Sequence, residues 1–105
     1  MLYKTITLEL LQQDPVLHER LRKHRMLLPM LELYSLGLKN CHEAWKASLL
    51  RARPESDGPQ LATEALELAL KELEDTLLQE SRVEATEPPT LDLATLFLQR
   101  HTQPA

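Results

Sequence analysis

The chain has 105 residues, 12 of them basic and 16 acidic, for a formal net charge of −4. That length holds one domain with a modest core and is too short for two. Its 25 leucines stand against three β-branched aliphatics (Ile6, Val16, Val83), and Gly37 and Gly58 are its only glycines, which argues against a turn-rich β fold and for packed helices.

A single cysteine, Cys41, excludes an internal disulfide, and a Cys-based zinc site would need other chains. On an apolar helix face it reads as a small buried hydrophobe. No apolar run approaches the ~20 residues of a membrane span. The N-terminal segment lacks the charged-then-apolar pattern of a secretion signal, because Lys4 is followed by an interrupted, acid-containing stretch. The expectation is a cytoplasmic protein with no membrane contact.

The fold expected is all-α: an antiparallel helical hairpin, bundle-like, with short helices at both ends. The first helix runs from about Thr5 or Thr7 to Gln13. Asp14-Pro15 then supplies an N-cap and a first-turn proline. From Pro15 the helical pattern continues to about residue 52. Pro29 interrupts it, and since Leu28 offers no capping side chain, a kinked continuous helix is the expectation there. Residues 53–59, with two prolines and a glycine, form a loop. The second long helix follows over 59–80, with Asp57 or Gly58 as its cap. Residues 81–90 read as a linker. Thr90 caps a short helix over 91–100, and 101–105 is a frayed tail. In domain terms this gives a hairpin over 1–80, a linker over 81–90 and a terminal segment over 91–105.

Within the long pattern, positions 17, 21, 24, 28, 31, 35, 38, 42, 45 and 49 step by four and three without a slip, reading Leu, Leu, His, Leu, Leu, Ser, Leu, His, Trp, Leu. This is the spacing of a helix that offers one seam to a partner helix. A turn centred near residue 56 sets residue 80 opposite residue 32. The segment before Pro29 then overhangs its partner, and its leucines must be covered by a terminal helix or by a second copy. Leu17, Leu21, Leu28, Leu31, Leu38 and Trp45 are therefore the candidate interface residues, and a homodimer or docking onto a larger protein is the expected partnership.

Charge is distributed unevenly. Residues 15–53 carry eight basic and three acidic side chains, and residues 54–105 carry three and eleven. The hairpin's flanks should attract each other weakly. Arg20, Arg22, Lys23 and Arg25 lie on the overhanging segment and make a candidate nucleic-acid patch, the alternative function. No aromatic residues interleave with them, and the sequence pI is about 5.5, both of which count against it. A helix-turn-helix over 29–50 fails because Glu32, Glu43 and Lys46 fall where apolar residues belong.

Catalysis has little to build on. Cys41 and His42 are adjacent, and neighbours on a helix point about 100° apart, so they form no nucleophile–base pair. His18, His24 and His42 have Arg22, Leu28 and Lys46 at i+4, so no helical metal pair exists. His24 and His42 read as polar seam positions that set register. Glu64, Glu67, Glu72, Glu74 and Asp75 read as a solvated face. The chain is expected to be a non-enzymatic helical interaction or assembly module without a cofactor.

Overall fold

The computed structural model describes residues 3–55, 58–82 and 91–100. Every regular element among them is a helix: α1 (Tyr3–Gln12), α2 (Pro15–Lys23), α3 (Leu27–Ala52), α4 (Gly58–Arg82) and α5 (Asp92–Arg100). Helices α3 and α4 form the hairpin, and α1 and α5 also pack on α3. The all-α, bundle-like expectation holds. Across the hairpin the Tyr34 side chain reaches Glu80 and the His42 side chain reaches the Ala62 carbonyl. The expected caps at Asp57 and Thr90, and the linker beyond Arg82, lie outside the described residues; Ser81 and Arg82 themselves continue α4.

The one departure in the long pattern is at residues 24–26. The helix does not run through Pro29 with a kink; it stops at Lys23 and restarts at Leu27. Arg25 takes a left-handed conformation with φ 58°. The Met26 amide donates to the Leu21 carbonyl, and the Arg25 amide to the Arg22 carbonyl. This pair of bonds is the Schellman ending, in which a left-handed residue closes a helix. Pro29 then falls in the first turn of α3, where a missing amide hydrogen costs nothing because the first amides have no helical acceptor. At the other end of α2, Asp14 caps as expected: its side chain accepts from the Leu17 amide, with Pro15 opening the helix. Its second oxygen accepts a 2.6 Å bond from the Ser81 hydroxyl, tying the start of α2 to the end of α4.

Helix α3 is the central element. Leu31, Ser35, Leu38 and His42 are buried as the seam spacing requires, and so is a second row, Met30, Tyr34, Gly37 and Cys41. Two adjacent rows make an arc wide enough for several partners rather than one. Helix α4 lies over the middle of the arc, α1 reaches the His42 side, and α5 covers Gly37. A Cβ on Gly37 would stand 2.5 and 2.8 Å from ring carbons of Phe97, so the bare backbone is what lets α5 approach. Phe97 and Ala94 are fully buried in the same core cluster as Leu11, Leu17, Leu21 and Leu73. The terminal helix is thereby part of the one core and does not stand apart from the hairpin.

Candidate functional site

The polar residues with chemical potential are drawn into the helix contacts. His42 is buried between α1 and α4, with Nδ1 3.0 Å from the Tyr3 hydroxyl and Nε2 3.0 Å from the Ala62 carbonyl oxygen. A carbonyl only accepts, so Nε2 carries the hydrogen, and in the neutral ring Nδ1 accepts from Tyr3. Both ring nitrogens are therefore used in joining three helices. Tyr3 is pushed above the ordinary phenol range by burial and by the charge of Glu43.

Glu72 is the second junction. Its carboxylate accepts from the Cys41 thiol at 3.0 Å and from the Trp45 indole at 2.6 Å, and it pairs with Arg100 of α5 at 3.4 Å. It binds α3, α4 and α5 together, whereas the sequence reading placed it on a solvated face. Burial, reinforced by the bond to Glu72 and by its charge, pushes the Cys41 thiol well above its usual range. A thiol held protonated is a poor nucleophile. Cys41 and His42 face different partners, as their adjacency on one helix dictates.

The third junction is Glu80, on a turn of α4 that carries it inward. The Tyr34 hydroxyl donates a 2.7 Å bond to its Oε1. Burial raises the Glu80 carboxyl, and nearby Asp92 raises it further; the Tyr34 bond and the charge of Arg20 oppose them. Among the described residues, no group of three His, Cys, Asp or Glu side chains is close enough to hold a metal ion, and no helix is long and apolar enough to cross a membrane.

The residues singled out by spacing separate into two classes. Leu17, Leu21, Leu31 and Leu38 are buried in the chain's own core; of the covers expected for the overhanging leucines, Leu17 and Leu21 have theirs within the chain. Trp45 is half-buried and anchored by its bond to Glu72. His24 is exposed, not a seam position, because the break at 24–26 resets the phase of the helix. Leu28, for the same reason, is 69% exposed. The four cations of the alternative patch do not share one role. Arg20 is half-buried beside Glu80, and Arg22 is held by Glu19 at 2.9 Å. Lys23 and Arg25 are exposed. The attraction expected between the hairpin's flanks is realised where Arg53 pairs with Glu64.

What remains open to another molecule is the outer face of α3. Leu28, Leu36 and Leu50 are 69%, 49% and 51% exposed. Glu32, Lys39, Glu43 and Lys46 are exposed between them. Positions 28, 32, 36, 39, 43, 46 and 50 step by three and four, so they share one stripe. The molecule measures 51 × 28 × 20 Å, and a 20 Å thickness admits two layers of helices at 8–10 Å spacing. Among the described residues no third layer covers α3, which explains why this stripe stays in solvent. At its C-terminal end, Lys46, Ala47 and Leu50 join Leu61 and Ala62 of α4 to line an open, mostly apolar depression of about 340 Å3. The stripe was legible in the sequence as a second 3–4 spacing behind the seam, but its charges concealed it. No protein-family model matches this sequence, and neither a curated protein nor a solved structure is similar to it.

Proposed function

We propose that the chain is a small, non-enzymatic helical interaction module, acting in the cytoplasm, that associates with itself or docks onto a larger protein through the outer face of α3. The observation carrying this reading is the alignment of Leu28, Leu36 and Leu50, each about half exposed or more, along one face of the longest described helix. Val16, Leu78 and Leu96 are as exposed, and Val16 borders a depression of its own, but among the described residues each is the one strongly exposed large apolar side chain on its helix and forms no row. A row of three beside an apolar depression has the character of a contact surface. The non-enzymatic reading is supported by the junctions above, where the groups able to do chemistry are bonded into the core. A cytoplasmic setting accords with Cys41 as a free thiol.

The test is the size of the species in which the chain occurs. In a native extract, or purified and concentrated toward about 1 mM, it should occur as a species above its own 12.1 kDa. Leu36→Asp, an exposed change that leaves the core untouched, should shift it toward that mass. A wild-type chain that is a 12.1 kDa monomer in the extract and also, once purified, at up to about 1 mM would end this reading.

A further inference from the structure

Resting on that reading, we infer that the occupant of the α3 outer face is a second copy of this chain, lying antiparallel about a two-fold axis near Lys39. Leu28 and Leu50 are 22 residues apart on one helix, which places them about 33 Å apart along its axis. Leu28 is a projecting apolar side chain, and the surroundings of Leu50 form a mostly apolar depression floored by Ala47, Leu61 and Ala62 and bordered by Glu43 and Lys46. One copy reversed on another brings each Leu28 over the other's depression, and the contact closes on itself as two-fold interfaces do.

The charges select the same register. With Leu28 opposite Leu50 of the second copy, Glu32 falls opposite Lys46 and Lys46 opposite Glu32. The two copies of Lys39 meet at the axis, but each has Glu43 of the other copy one helical turn away, within reach of a lysine stem. All four are exposed in the single chain. A parallel pairing in the same register would set Glu32 on Glu32 and Lys46 on Lys46, which is repulsive. The face is about 33 Å long and one helix wide, so the area it buries is at the low end for specific interfaces. The dimer is accordingly a weak, concentration-dependent one rather than an obligate pair.

Sedimentation equilibrium from about 10 μM to about 1 mM protein measures it, with circular dichroism checking that each variant folds. Glu32→Lys and Lys46→Glu should each weaken self-association by about tenfold, since each turns two attractive pairs into repulsive ones. The double exchange, Glu32→Lys with Lys46→Glu, should restore it to near the wild-type value. Leu28→Asp should abolish it. Self-association that ignores the single exchanges, or that the double exchange does not rescue, overturns this face and register while leaving an interaction module that self-associates elsewhere. A purified chain that stays monomeric throughout the range overturns the second-copy inference. The extract experiment then says whether a different protein occupies the face or whether the interaction reading itself is gone.

Discussion

Glu80 owes its tolerable burial to two neighbours that favour its charge, the Tyr34 hydroxyl and Arg20, working against desolvation and Asp92. Desolvation wins, and the carboxyl is raised above its ordinary value of 4.5. The sign of the pH effect follows. Below that value both folded and unfolded chains are protonated at this position, and Glu80 imposes no penalty. As pH rises, the unfolded chain releases its proton first, so stability falls until the pH passes the folded-state value and then levels off. Glu80→Gln does not titrate and keeps an acceptor for Tyr34. Thermal melts from about pH 4 to about pH 7 should therefore show its advantage over wild type growing with pH. Tyr34→Phe should do the reverse, costing about 1–3 kcal/mol near neutrality because a buried carboxylate loses its donor. Parallel curves for all three proteins would mean that Glu80 is solvated after all.

At the scale of elements, helix ends and close approaches decide more than propensity does. Gly37 sits mid-helix, where Ala would be favoured by about 1 kcal/mol. It is kept bare because Phe97, fully buried, lies against it. An added methyl has to displace a fully buried ring, a cost of about 1–3 kcal/mol for overpacking. Gly37→Ala should therefore destabilise the chain in urea unfolding, and the loss should shrink when Phe97→Leu is added to make room. A stabilised Gly37→Ala variant would show α5 held more loosely than the ring contact implies. These two elements also mark what the sequence could and could not say. The seam over 31–42, the Asp14-Pro15 start of α2 and the hairpin loop rest on local signals, spacing, capping and proline, and they are where the sequence places them. The end of α2 was not legible, because the left-handed position of the Schellman ending holds Arg25 where glycine would announce it. With that break hidden, the 3–4 spacing runs straight through it in the sequence, and it assigns His24 and Leu28 to a seam from which both are exposed. Glu72 and Glu80 were equally opaque: each looks like a surface acid until α5 and α2 are brought beside α4, and that juxtaposition is tertiary.

For the whole molecule the question is whether the hairpin is sufficient without its terminal helix. Spacing alone suggested a domain over 1–80 with an appended segment. Packing points the other way, since α5 places Phe97 and Ala94 in the shared core and carries Arg100 to Glu72. Removing a buried phenylalanine alone costs about 3–5 kcal/mol, against a total of about 5–15 kcal/mol for a typical domain. A chain ending at Arg82 also uncovers Tyr34 and Gly37, two members of the second buried row on α3, which Phe97 packs against. It should retain much of its helical signal, since α3 and α4 still pair, but unfold with little cooperativity and bind a hydrophobic dye. Adding residues 83–105 back as a separate peptide should raise the melting temperature in proportion to its occupancy of the site. If the shortened chain melts as sharply and as high as the full one, the five-helix core divides, and the hairpin is the folding unit after all.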